Sequence, residues 1–288
     1  MIRVGVAGWD YPDWKGIVYP SEVGRLDKLA YLARFVDLIE INSTFYRPAN
    51  PEVASSWAGR TASRPGFVFS AKAHRSWTHD PAADLAVAVP ETLSGLSPLR
   101  EAGVLGAVLV QFPHRFHRDR ESVEHLERML DLTAGWPVVI EVRHDSWLAD
   151  EVDPWLRRRD VGWCVVDQPR VGRAAAARPR VTSSRSYLRL HGRNVADWFR
   201  EGAGRDARYD YLYSPEEVRD LAGLARSLAE SAEELFVVQN NHFRGKALVN
   251  ALQMKHVLEE VAPAAPAELV RSYPGLVDDV VQDQSRLF

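Results

Sequence analysis

Polar side chains in this sequence collect where apolar runs end. The run Leu38-Ile39-Glu40-Ile41-Asn42 closes on Glu40 and Asn42, and Phe69-Ser70-Ala71-Lys72-Ala73-His74 on Lys72 and His74. Val138-Val139-Ile140-Glu141-Val142-Arg143 closes on Glu141 and Arg143, and Tyr187-Leu188-Arg189-Leu190-His191 on Arg189 and His191. Other runs end at Gln111, at Asp167 and at Asn240-Asn241-His242. A spacing of two puts both members of a pair on one face of a strand and the residue between them on the other. Lys72, Arg143 and Arg189 suit a phosphate or carboxylate, arginine offering a planar fork and lysine a point charge. Glu141 and Asp167 are candidate general acid/base groups, and His191 can move a proton near neutral pH. These three form the expected catalytic set. Glu40, Asn42, Gln111, Asn240, Asn241 and His74 are expected to bind and orient substrate. The competing reading is that Glu40, Glu141, Arg143 and Arg189 are buried ion pairs that set strand register.

A metal is less clearly written. No HExxH, CxxC, Walker or EF-hand spacing is present. His74, His191, His242, Glu141 and Asp167 could supply ligands to a divalent metal from separate strands, but the lysine and arginines among them argue against a multi-zinc cluster. The cofactor is left open.

The elements that must hold these residues recur at intervals of roughly 30 residues, the length of one βα unit. Eight apolar runs (3–7, 37–42, 67–73, 104–111, 137–143, 162–167, 186–191 and 234–240) are nearly continuous Val, Ile, Leu and Phe, as parallel strands covered on both faces should be. Helix punctuation lies between them: Ser21 before an apolar pattern reaching Phe35, Asn50-Pro51-Glu52, Asp119, Ser214-Pro215-Glu216-Glu217, and a last helix over 246–261. The pattern predicts a (β/α)8 TIM-type barrel, irregular after strands 6 and 7, with a doubly wound open sheet as the alternative. Residues 1–288 read as one domain, with 276–288 as a C-terminal tail. Function then collects at the carboxyl ends of the strands.

The run Glu40-Ile41-Asn42-Ser43-Thr44-Phe45-Tyr46-Arg47 resembles the signature of the domain of unknown function 72 (YecE-like) family. Gly5-Val6-Ala7-Gly8-Trp9, Phe69-Ser70-Ala71-Lys72-Ala73-His74-Arg75 and Leu109-Val110-Gln111-Phe112-Pro113 are similar to it too. So are Glu141-Val142-Arg143-His144-Asp145-Ser146-Trp147, Leu188-Arg189-Leu190-His191-Gly192-Arg193-Asn194 and Asn240-Asn241-His242. The resemblance spans roughly residues 2–258 and implies a barrel with a polar cleft at its strand ends, to which Tyr46 is added as a binding residue. It implies no reaction.

Composition narrows the classes further. The chain is 46% hydrophobic and 26% charged, so it has material for a core. A net charge of −3 excludes a protein coated in positive charge, though not a local basic pocket. The single cysteine, Cys164, excludes an intramolecular disulfide and a cysteine cage. With no membrane-length apolar stretch and no leader pattern, a cytoplasmic protein is expected. Of nine tryptophans, Trp9, Trp77, Trp147 and Trp198 follow strand ends and are expected to rim the mouth, stacking on bases or sugars. Trp57, Trp136, Trp155 and Trp163 are expected to pack, and Trp14 is undecided.

The chain ends Gln284-Ser285-Arg286-Leu287-Phe288. This resembles the Q-x-x-L-F peptide that docks bacterial replication and repair proteins on the DNA sliding clamp, with Leu287 and Phe288 entering an apolar pocket and Gln284 making a polar contact. The alternative is a tail packed on the barrel. Together these readings predict a hydrolase of phosphate esters or phosphodiesters, nuclease-like and connected with DNA repair, whose partner is nucleic acid or another phosphate-bearing ligand. A carbohydrate enzyme using Glu40 and Glu141 as a carboxylate pair, and a non-catalytic barrel binding a nucleotide or single strand, are the alternatives.

Overall fold

The computed structural model describes all residues except Val23, Arg25, 170–177, Phe199, 201–203 and 284–288, and only the backbone of Asp197, Trp198 and Arg205. The terminal residues expected to dock on a partner, Gln284, Leu287 and Phe288, and the ring of Trp198 therefore lie outside the described residues. Eight parallel strands close in chain order: β1 (Ile2–Ala7), β2 (Leu38–Ile41), β3 (Val68–Lys72), β4 (Leu105–Gln111), β5 (Val138–Glu141), β6 (Gly162–Asp167), β7 (Arg185–Leu190) and β8 (Glu234–Gln239). β8 pairs back onto β1, Val4 opposite Val237, so the sheet is a barrel and the open-sheet alternative falls.

Side chains divide cleanly between the two faces of the strands. Ala7, Leu38, Val68, Leu109, Val139, Cys164, Tyr187 and Phe236 fill the interior. Val4, Val6, Ile39, Phe69, Val110, Ile140, Val165, Leu188 and Val237 face the helices in a second, larger cluster. Fitting a phenylalanine inside and bringing β1 close to β2 both require residues without side chains. A Cβ on Gly106 would lie 2.8 Å from the Phe236 ring, and one on Gly5 only 1.9 Å from the Leu38 carbonyl oxygen.

The helices are α1 (Lys28–Leu32), α2 (Pro51–Thr61), α3 (Leu85–Glu101), α4 (Arg120–Leu132), α5 (Val152–Arg158), α6 (Val195–Trp198), α7 (Arg205–Arg208), α8 (Pro215–Ala229), α9 (Lys246–Glu259) and α10 (Ala267–Ser272). Asn50, Asp119 and Ser214 cap α2, α4 and α8 through their side chains, as their sequence positions predict. Ser214 and Glu217 form a reciprocal capping box. The first helix is shorter than its apolar pattern suggests: Asp27, not Ser21, caps it, accepting from the Ala30 N–H. Irregularity falls where expected: among the described residues no helix joins β6 to β7, and two four-residue helices precede α8.

After α10, β10 (Val281–Gln282) pairs with β9 (Ala264–Ala265), and the Asp283 carboxylate takes Arg34 in the turn leading into β2. Val281, Gln282 and Asp283 are thus secured at the amino end of the strands. Among the described residues no helix is long and apolar enough to cross a membrane.

Candidate active site

The carboxyl ends of the strands carry a buried charge network stacked on the barrel's interior. Tyr187, inward on β7, shares a hydrogen bond with Ser70 (2.8 Å) and donates to Glu40 Oε2 at 2.9 Å. Above it, Arg189 grips Glu40 with two bonds, Nε to Oε2 at 3.0 Å and Nη2 to Oε1 at 2.7 Å. Its Nη1 donates to Glu141 Oε2 at 2.9 Å, and Arg143 Nε donates to Glu141 Oε1 at 3.0 Å. Two guanidinium groups and two carboxylates therefore cancel. Burial works against the charges of Glu141 and Arg189. Even so, Arg189 and Arg143 hold the Glu141 carboxyl well below its usual range, and Glu40 and Glu141 hold the Arg189 guanidinium well above its own.

His191 completes the layer in its neutral form. Asn240 Nδ2 donates to its Nδ1 at 2.9 Å, which leaves the proton on Nε2, 3.6 Å from Glu141 Oε1. Burial lowers its pKa to about 3, with Arg189 and Arg143 adding to the effect against the pull of Glu141.

Lys72 stands apart from this balance. Its Nζ donates to the neutral amide oxygen of Gln111 at 2.9 Å and lies 4.2 Å from the centre of the Phe45 ring. The ring is delivered by a 3-10 turn, Ser43–Phe45, which Thr44 fastens by donating to the Ile41 and Lys72 carbonyls. Burial and the neighbouring Arg189 charge bring the Lys72 amine down to about 7. At neutral pH it is divided between ammonium and free amine.

A cavity of about 360 Å³ opens onto Lys72, Gln111 and the edge of Arg189. Its walls are Trp9, Asp10 and Tyr11 after β1, Asn42, Ser43 and Tyr46 after β2, and Tyr209, Asn240 and His242 near β7 and β8. Tyr11 stacks on His242 with ring centres 4.5 Å apart, and Trp9 meets Trp57 edge-on. Gly8 sits at φ +79°, where a Cβ would strike the Tyr11 hydroxyl. Tyr46 is 67% exposed at the lip.

Several sequence expectations need correction. None of the expected catalytic residues lines the cavity. Glu141 and His191 are buried beneath it. Asp167 shares its strand face with Trp163 and Val165, so it points outward to the helix layer. There Arg193 binds both its oxygens and Tyr213 donates to it at 2.7 Å, which ties the loop after β7 to β6. Glu40 and Glu141 are each locked to arginine, which removes them as a glycosidase pair. Arg143 backs Glu141 instead of facing the cavity. Trp77 and Trp147 are fully buried, their indole N–H groups bonded to Ala88 and Thr92 and to Phe116, so they do not rim the mouth.

The remaining residues divide between scaffold and site. His74 caps the 3-10 turn Arg75–Trp77, and Asn241 braces Tyr211 and Asn250. Trp14, undecided from sequence, is a buried post bonded to the His242 carbonyl. The structure does gather Trp9, Asn42, Tyr46, Lys72, Gln111, Arg189 and Asn240 on one cavity. Of the five side chains considered for a metal only His191 and Glu141 meet, and among the described residues no group of three or more His, Cys, Asp or Glu is placed to hold one. Asp10, Tyr11, Ser43, Phe45 and Tyr209 are site residues that sequence reasoning missed. Ser43 and Phe45 lie inside the Glu40–Arg47 signature, which was the available signal.

A closed parallel barrel with a polar cavity at the strands' carboxyl ends belongs to the (β/α)8 class, in which such cavities are sites of reaction or binding. Residues 3–271 match the family profile described as Protein of unknown function DUF72, and the chain belongs to that family. UPF0759 protein YunF of Bacillus subtilis is 26% identical over 286 residues, covering 93% of this chain and 99% of that protein. UPF0759 protein YecE of Escherichia coli is 29% identical over 66% of each chain. The crystal structure of a DUF72 family protein from Thermotoga maritima MSB8 superposes with a TM-score of 0.80 at 32% identity, covering 90% of this chain and 99% of that one. One from Enterococcus faecalis V583 gives 0.77 at 27%, covering 90% and 96%.

Proposed function

We propose that this chain is an enzyme that takes a small phosphate-bearing substrate, such as a nucleotide or a nucleic-acid end, at the barrel mouth and uses Lys72 as its acid–base group. One observation carries the reading: Lys72 reaches the cavity with no carboxylate among the described residues bonded to it, above a network whose own charges cancel. When protonated it adds a positive charge to the cavity, where the one wall carboxylate, Asp10, is paired with Lys28, and a pKa near neutrality suits proton transfer. The cavity volume fits a ligand of nucleotide size, and Trp9, Tyr46 and Tyr209 offer flat faces at its rim. Hydrolysis driven by Glu141, Asp167 and His191 loses support, because all three are withdrawn from the cavity.

Calorimetric titration with inorganic phosphate and with nucleoside monophosphates tests this on the wild type and Lys72→Met. We expect binding to weaken about 10- to 100-fold in the variant, together with loss of any cleavage of labelled single- or double-stranded DNA. Equal binding by both proteins, or by neither, overturns the reading.

For a protein partner we propose the bacterial DNA sliding clamp, met by Gln284, Leu287 and Phe288. The terminal sequence supports this, as does the anchoring of Val281, Gln282 and Asp283 at the end of the barrel opposite the cavity, which keeps the mouth clear. Substituting Leu287→Ala and Phe288→Ala together is expected to abolish binding to purified clamp with an unchanged melting temperature. Undiminished binding overturns the proposal, and a fall in melting temperature instead favours a packed tail.

A further inference from the structure

We propose that the Lys72 amine forms a covalent imine with the carbonyl carbon of an aldehyde or ketone carried on the phosphate-bearing substrate. This deepens the function proposed above and rests on it. The geometry carries the argument. An amine nucleophile needs an open approach, a surrounding that does not stabilise its ammonium form, and room for a tetrahedral carbon. Lys72 Nζ reaches a cavity of about 360 Å³, so approach and room are present. Among the described residues the one polar contact of its Nζ is the Gln111 amide oxygen at 2.9 Å, which can also accept from a neutral amine. Both nearby carboxylates are held elsewhere, Glu40 by Arg189 and Tyr187 and Glu141 by Arg189 and Arg143, so neither forms an ion pair with the lysine. A fixed cation beside an amine lowers its proton affinity, the arrangement that activates Schiff-base lysines. Arg189, immobilised by four bonds, is that cation here. The amine's position near neutrality accords with this.

The step balances without a further reactant. The Nζ lone pair attacks the carbonyl carbon, the C–O π bond opens, and the oxygen takes a proton to give a carbinolamine. Loss of that oxygen as water, carrying the two hydrogens originally on the amine nitrogen, leaves the C=N bond. Protonation of the imine restores a positive charge at Lys72, so an adjacent phosphate keeps its counter-ion.

The test uses the full chain with glyceraldehyde 3-phosphate and sodium cyanoborohydride, followed by peptide mass spectrometry. The expected result is a reduced adduct on Lys72, saturable and suppressed by inorganic phosphate, well ahead of Lys15, Lys28, Lys246 and Lys255. Its yield should rise as pH passes through about 7. Lys72→Arg keeps the charge but cannot form the imine, and it should bind phosphate without acquiring the adduct at that position. Adducts spread evenly over the other lysines, or none at Lys72, overturn the imine. If phosphate still binds in a Lys72-dependent way in that case, the proposed function survives alone. An adduct at Lys72 that forms equally with unphosphorylated glyceraldehyde and resists phosphate supports the imine and overturns the phosphate reading.

Discussion

Arg189 is the residue on which the barrel mouth depends, because it neutralises two carboxylates that water cannot reach. Replacing it by methionine leaves Glu40 and Glu141 buried with an incomplete set of donors. We expect Arg189→Met to lose about 3–5 kcal/mol in urea unfolding at neutral pH, the usual cost of stranding a buried charge. His191 sets a pH limit of its own. Its folded pKa of about 3 lies below the ordinary 6.5, so the unfolded chain binds the extra proton between those values. Stability from this group is therefore complete above about 6.5 and falls by about 1.4 kcal/mol per pH unit as pH drops toward 3. Acid titration of His191→Gln should lack that slope while keeping the further loss that comes as Glu141 protonates at lower pH. The sequence placed Glu40, Glu141, Arg189 and His191 at strand ends correctly, since a two-residue spacing reports which face a side chain shares. It could not report the partners, because an arginine on β7 and glutamates on β2 and β5 meet only once the sheet closes. Asp167 shows how fine the distinction is: one position along β6 turns a side chain from the cavity to the helices.

At the scale of elements, all eight strands were legible because continuous β-branched and aliphatic runs have few other uses in a chain of this kind. Helices were less legible. α3 carries Pro90 and Pro98 inside it, which disguise a seventeen-residue helix as broken sequence. α1 was overextended because its apolar spacing continues into residues on both sides of the Asp27 cap. Barrel closure itself depends on a residue that periodicity ignores. Gly5 lies opposite Leu38 where β1 meets β2, and the space a methyl group would need is occupied by a backbone oxygen. Gly5→Ala must push the two strands apart. It should cost at least about 1–3 kcal/mol in denaturant midpoint measurements, as overpacking does, and an unchanged midpoint would disprove the close approach.

Over the whole molecule, the net charge of −3 gives no hint of a cavity floored by a lysine whose charge is adjustable near neutral pH. The two arginines and two glutamates below the cavity cancel, so the site does not carry a permanent counter-ion for an incoming anion. It must obtain one from the medium. At pH 8 the Lys72 amine is mostly unprotonated, and a bound phosphate makes the ammonium form favourable, so association should take up nearly one proton from the buffer. Calorimetric heats of phosphate binding at pH 8, where the ligand is already the dianion, should then differ between Tris and phosphate-free HEPES in proportion to the buffers' ionisation enthalpies, and the difference should be lost in Lys72→Met. On the proposed reading the balanced network makes ligand affinity a reading of ambient acidity: the protein should hold an anion more tightly wherever protons are more plentiful.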